Sequence, residues 1–243
     1  MAPQPSSFDW RAWLAEAVGT SLLVTAIVLA VALSVAAGSP LADALPGPGA
    51  RFLAVGVLVA PFVAALALSP VGSASGAHLN PAVTLAFWVL GRLSARDLAG
   101  YVAAQLAGGL AGAAAGRALI PSGAWESIGG TVTHPGVSTA AAFALEAGMT
   151  ALLLVVILTF TSRERLARLT PLAIVPVLTV IIWLGSPWTG ASINPARSEG
   201  PAVAFGDLAD LWLYLLAPSI AGLIVGLGWR VTRAPLRALP RDT

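Results

Sequence analysis

The tripeptide Asn-Pro-Ala occurs twice, as Asn80-Pro81-Ala82 and Asn194-Pro195-Ala196, and each copy heads an apolar segment too short to cross a bilayer. Residues 82–90 and 196–205 are each about ten residues long, or roughly 15 Å of helix against a hydrocarbon core of about 30 Å. Asn is a strong N-cap. Pro suits the first helical position, where its missing N–H would be unpaired anyway, so each box reads as the start of a half-helix that dips in and stops. Irregular backbone leading into such a segment is tolerated in lipid only inside protein or along a water-filled cavity. Residues 72–79 and 187–193 are the expected linings, presenting carbonyl acceptors along a file of solute.

Composition makes lipid the solvent. With 57% hydrophobic residues, 10% charged residues and a mean hydropathy of +0.86, the chain carries more apolar surface than one soluble core of 243 residues would bury. The formal net charge of +2 is too small to point to nucleic acid. Cysteine is absent, which excludes disulfides and thiolate metal sites, and His78 and His134 alone cannot make a structural zinc site. No cofactor, metal or catalytic constellation is expected, and the chain does not read as an enzyme. The first apolar stretch is too long for a signal peptide and reads as a span.

Six stretches are long enough to cross as helices, over residues 11–37, 51–69, 98–119, 139–161, 170–185 and 208–231. Gly38-Ser39-Pro40, Pro46-Gly47-Pro48-Gly49 and Pro121-Ser122-Gly123 read as loops between them. Of 13 basic residues, all arginine, ten fall on one side of a six-span arrangement: Arg11, Arg92, Arg96, Arg163, Arg165, Arg168, Arg230, Arg233, Arg237 and Arg241. Arg51, Arg117 and Arg197 fall on the other, so the bias puts both termini in the cytoplasm.

The halves repeat. Residues 15–20 resemble 145–150 at an offset of 130, the boxes recur at 114, and residues 101–117 align with 214–230 at 113. Each unit, about 11–119 and 139–231, holds three spans. An odd number means that the second unit is inserted upside down, which brings the two boxes in from opposite faces. The expected fold is an all-α membrane protein, a single domain over residues 1–243 with six transmembrane helices and two re-entrant half-helices.

Ser75-Gly76-Ala77-His78-Leu79-Asn80-Pro81-Ala82-Val83-Thr84 and Asn194-Pro195-Ala196-Arg197-Ser198 resemble the paired signature of the aquaporin, or major intrinsic protein, family. Glu16, Gln105, Glu146 and residues 212–218 also sit where that family has counterparts. The resemblance implies that Asn80 and Asn194 donate hydrogen bonds into the pore centre and that Arg197 belongs to a selectivity filter. It also implies a tetramer with one pore per subunit. Gly108, Gly112 and Gly116, spaced four apart, are explained by close helix packing within one subunit. A half-helix N-terminus carries roughly half a positive charge, so a cation about 5 Å away meets on the order of 1.7 kcal/mol of repulsion at an effective dielectric near 20. Two termini supply on the order of a hundredfold exclusion. Arg197 and the cost of stripping an ion's water must add the rest, a logic general to aquaporin-type pores.

Glu16 and Glu146 admit two readings. A repeated ionisable pair inside spans fits the proton relay of an ion-coupled transporter. The alternative, also the family's use of them, is that each carboxylate accepts backbone N–H groups and holds a re-entrant loop. His78 reads as a loop-anchoring or pore-mouth residue, His134 as solvated, and Trp10, Trp13, Trp125 and Trp188 as interfacial anchors.

Counting back without gaps from each Asn, the resemblance places four filter positions at Ala60, Ile182, Ala191 and Arg197. Water-selective members carry an aromatic ring at the first and His at the second. Neither is present, so the expected function is a passive channel for small uncharged solutes (glycerol, urea or metalloid hydroxides) and water, set in the plasma membrane. The alternatives are a strict water channel, supported by Ser198 and Ala202, and a coupled transporter.

Overall fold

The computed structural model describes residues 9–120 and 131–238. Trp125 and the Pro121-Ser122-Gly123 turn lie outside that range, as does Arg241. Six long helices carry the spans: α1 (Trp10–Val35), α3 (Gly47–Leu68), α6 (Ala95–Leu119), α7 (Thr139–Thr161), α9 (Thr170–Thr189) and α11 (Leu211–Ala238). Five shorter ones intervene: α2 (Pro40–Ala44), α4 (Pro70–Ser75), α5 (Pro81–Val89), α8 (Glu164–Ala167) and α10 (Pro195–Phe205). There is no strand among the described residues.

Two of the expected loops are helix starts. Ser39 caps α2 through Ala42 N–H, and α3 begins inside the Pro-Gly-Pro-Gly stretch, because proline costs nothing in a first turn. The fifth span runs four residues past its expected end at Gly185, through Pro187 to Thr189, and stops where Gly190 turns left-handed at φ 75°. Pro61 sits inside α3 without ending it.

The solvent pattern is inverted relative to a soluble protein. Leu14, Val57, Leu152, Leu184 and Ile224 are exposed, whereas Glu16, Gln105, Glu146 and Thr189 are fully buried. Apolar surface faces outward to lipid, and polar groups face inward, where Glu16, Glu146 and Thr189 all find protein partners.

The inverted repeat interlocks. Within each half the first span packs on the third, α1 on α6 and α7 on α11, and the second spans α3 and α9 meet across the middle. Each half-helix seats on the third span of the opposite half, α5 on α11 and α10 on α6. Glycine makes that seating possible: a Cβ at Gly109 would strike the Ala196 carbonyl oxygen, and one at Gly222 would strike that of Ala82. These are repeat-related glycines against repeat-related boxes. Gly108 similarly lies against the Ala17 backbone, which places the four-residue glycine spacing in the α1–α6 seam.

Candidate functional site

Each half-helix is started by its own asparagine. The Asn80 side-chain oxygen accepts from Ala82 N–H at 2.8 Å, and that of Asn194 accepts from Ala196 N–H at 3.1 Å and Arg197 N–H at 3.4 Å. Pro81 and Pro195 take the first helical positions. The two amides then cross over. Asn80 Nδ2 donates to the Ile193 carbonyl at 2.8 Å, and Asn194 Nδ2 donates to the Leu79 carbonyl at 2.8 Å. The boxes therefore meet, and each ties down the residue that precedes the other's asparagine.

The chain reaches the boxes through four residues on each side, 76–79 and 190–193, rather than through the seven or eight expected from sequence. Helices α4 and α9 occupy the rest. Both loops share one conformation: Gly76 and Gly190 are left-handed, and so are Ala77 and Leu79, Ala191 and Ile193, with φ between 47° and 52° for the four non-glycines. A non-glycine there costs roughly 1–2 kcal/mol and persists only where its surroundings hold it.

The two buried glutamates hold it. Glu16 accepts from His78 N–H at 2.9 Å and Leu79 N–H at 2.6 Å, with Gln105 Nε2 at 2.7 Å as a third donor. Glu146 accepts from Ser192 N–H at 2.9 Å, Ile193 N–H at 2.7 Å and the Thr189 hydroxyl at 2.6 Å. Both side chains are fully buried. Neither lines the central cavity.

That cavity has a volume of about 450 Å³ and threads past both boxes. Asn80, Asn194, Arg197 and loop residues 77–79 and 190–193 make one wall. Aliphatic side chains make the others, among them Leu23 and Ile27 of α1, Val55 and Val59 of α3, and Leu178 and Ile182 of α9. Phe52, Val132 and Asp207 also border it. Of the four filter positions expected from sequence, Ile182, Ala191 and Arg197 line the cavity. Ala60 does not: its accessible surface is 0%. It lies one helical turn beyond Gly56, at which an added Cβ would stand 2.8 Å from the Thr179 carbonyl oxygen of α9, so this stripe of α3 serves the seam between the two helices. The side chains that α3 turns to the cavity are Phe52, Val55, Val59 and Val63.

His78 lines the cavity, and its Nδ1 lies 3.2 Å from Thr84 Oγ1. Its ring packs between Phe87 and Tyr101, with centroids at 4.7 and 5.2 Å. Among the described residues no group of three or more His, Cys, Asp or Glu is placed to hold a metal. His134 is exposed, its Nδ1 accepting from Gly136 N–H. Trp10 and Trp188 are about half exposed, at 53% each, but Trp13 is packed against Gly100 in the α1–α6 seam.

Side chains from distant segments brace both loops, and their partners are not written in the local sequence. Tyr101 donates to the Ser75 carbonyl and Tyr214 to the Thr189 carbonyl, contacts related by the repeat. Thr131, Ser198 and Ser192 form a hydroxyl chain behind the second loop. The recurrence of the tyrosines was legible, but their partners, 25 and 26 residues away, were not.

The family model of the major intrinsic proteins matches residues 4–229. The chain belongs to the major intrinsic protein family. It is a membrane channel for small neutral solutes. Among similar proteins, the rice (Oryza sativa subsp. japonica) aquaporin NIP1-3 is 37% identical over 233 residues, 93% of this chain and 76% of that one. Glycerol uptake facilitator protein-like 6 of Lactiplantibacillus plantarum is 36% identical over 228 residues, 91% of this chain and 97% of that one. The X-ray structure of the aquaglyceroporin from Plasmodium falciparum superposes with a TM-score of 0.73 at 24% identity, covering 93% of this chain and 98% of that one. At that identity the likeness speaks for the fold of this major intrinsic protein alone.

Proposed function

We propose that this channel passes glycerol, urea or metalloid hydroxides, together with water, down their gradients and rejects ions and protons. One observation carries the reading: the cavity is two-sided, aliphatic over most of its wall and polar along the strip made by the loops and Arg197. A slim polyol fits such a surface, its carbons against Val59, Leu178 and Ile182 and its hydroxyls toward Arg197 and the loop carbonyls. The relationship to a glycerol uptake facilitator-like protein supports the same solute class.

The two boxes suit proton exclusion. In each asparagine the side-chain oxygen is taken by its own helix and one Nδ2 hydrogen by the opposite loop, which leaves a single Nδ2 hydrogen for the cavity. A water there meets two donors and no side-chain acceptor. It accepts from both, its own hydrogens point up and down the pore, and a continuous hydrogen-bonded relay is interrupted. Because Glu16 and Glu146 spend their acceptor capacity on backbone N–H groups away from the cavity, the anchoring reading of the pair is favoured over the relay.

The filter in this reading is Ile182, Ala191 and Arg197, with a valine of α3, Val59, in the place expected for Ala60. The proposal extends to a homotetramer in the plasma membrane, to a cytoplasmic location for both termini, and to residues 1–243 as one channel domain. Stopped-flow swelling of proteoliposomes with a panel of water, glycerol, urea and boric acid tests the solute class. Passage of at least one of the three solutes well above empty vesicles is expected. Passage of water alone would replace this reading with the strict water channel.

A further inference from the structure

Outside the pore, the face that carries residues 9 and 238 gathers exposed positive charge. Spans α7 and α9 are joined there by residues 162–169. Within that link Arg163, Arg165 and Arg168 are all exposed, and Glu164 is the one acid. The three guanidiniums make no side-chain hydrogen bond or ion pair among the described residues. Helix α8 (Glu164–Ala167) lies against α7 and contributes no fully buried residue. Leu169 and Leu172, at the start of α9, are 40% and 59% exposed.

A single hydrogen bond brings a second basic segment to the same place. Trp229 Nε1 donates to Ser162 Oγ at 3.1 Å, across 67 residues of sequence, and pins α11, nine residues before its end, to the C-cap of α7. The neighbours of that bonded pair in sequence are Arg230 and Arg163. Arg230 is exposed and spends one nitrogen, Nη1, on the Val89 carbonyl at 3.2 Å. Helix α11 runs on to Ala238, and Arg233 and Arg237 fall in that continuation.

We propose that Arg163, Arg165 and Arg168, with Arg230 at their edge, bind the headgroup phosphate of an anionic phospholipid. A link this short between two spans cannot carry its arginines away from the bilayer surface, which places them at headgroup depth. Guanidinium forks match phosphate oxygens bidentately, and the exposed leucines beside them suit acyl chains rather than a soluble anion or an acidic protein. A half-buried indole at the same level is the usual marker of the membrane interface. The site rests on the chain spanning a membrane, and on neither the solute it passes nor the leaflet that this face meets.

The test uses the full chain in detergent, titrated with short-chain phosphatidylglycerol, short-chain phosphatidylcholine and inorganic phosphate, with occupancy read by native mass spectrometry. Phosphatidylglycerol is expected to bind at least tenfold more tightly than phosphatidylcholine, and high salt should erase most of the difference. The triple variant R163Q/R165Q/R168Q should lose about a hundredfold in that affinity, about fivefold per arginine, whereas E164Q should gain. Equal affinity for the two lipids, or an unchanged affinity in the triple variant, overturns the site. Competition by inorganic phosphate at the concentration that saturates with lipid would assign the arginines to a free anion and overturn it as well. Should the triple variant fail to fold, E164Q decides: no gain in anionic-lipid affinity there contradicts the proposal.

Discussion

At the scale of single residues, Arg197 is the group whose loss should change what the pore rejects. It lines the cavity, and its one side-chain hydrogen bond among the described residues, to the Gly190 carbonyl, is long at 3.4 Å, which leaves donors and charge that a passing solute would meet. A full charge about 5 Å from an ion at an effective dielectric near 20 is worth roughly 3 kcal/mol, so Arg197→Val should raise cation or proton leak by about two orders of magnitude while neutral flux holds or increases. Proton conductance of proteoliposomes measures it, and an unchanged leak in a folded variant would remove Arg197 from the filter. Position 60 gives a second contrast. Ala60→Phe forces a ring into the α3–α9 seam and should cost about 1–3 kcal/mol of stability, seen as a lower Tm. Val59→Phe with Ile182→His should instead leave stability nearly unchanged and suppress glycerol flux more than water flux. The opposite assignment of the two effects would restore Ala60 to the pore wall. Counting back from Asn80 reaches the turn of α3 that borders the cavity but names the fully buried Ala60 on it, because a count fixes a position along a helix and not the helix's rotation, which depends on tertiary packing such as that of Gly56 on Thr179.

Among the elements, the half-helices were the most legible, since Asn followed by Pro is a cap and a first turn written into adjacent residues. The loops before them are four residues each, shorter than the sequence suggests. The missed signal was Gly76 and Gly190, each four residues before its asparagine and each left-handed, which mark where α4 and α9 end. The anchoring of those loops was readable as a possibility in the repeated glutamates, but Gln105 and Thr189 as co-ligands were not, because they come from other segments of the chain. Each carboxylate receives three donors. Glu16→Gln or Glu146→Gln keeps one acceptor oxygen and turns an amide nitrogen toward an N–H, so a loss of about 1 kcal/mol with flux largely retained is expected. Leu at either position strands all three donors, at about 1–3 kcal/mol each, and should collapse both stability and flux. Thermal melts and swelling rates on the same preparations check this. Abolished transport in both Gln variants at normal Tm would revive the relay.

For the whole molecule, the decisive inference from sequence was topological: two three-span units, forced into opposite orientations, must bring their half-helices together from opposite faces. The packing of α5 on α11 and of α10 on α6 realises it, with Gly222 and Gly109 as the contact points. What remained hidden was the shape of the space between them, because the cavity is bounded by side chains from six helices (α1, α3, α5, α7, α9 and α10) and the loops at once. Gly109→Val or Gly222→Val should therefore unseat a half-helix, lowering Tm and abolishing flux together, and a stable, conducting variant would deny that these glycines set the approach. The space between the boxes should act as a passive conduit for uncharged solute. Glycerol entry into proteoliposomes, followed by stopped-flow light scattering with and without imposed sodium and proton gradients, tests it most directly. Downhill entry that rises linearly with glycerol concentration and is indifferent to both gradients is expected; saturable entry that either gradient accelerates would make the protein a coupled transporter instead.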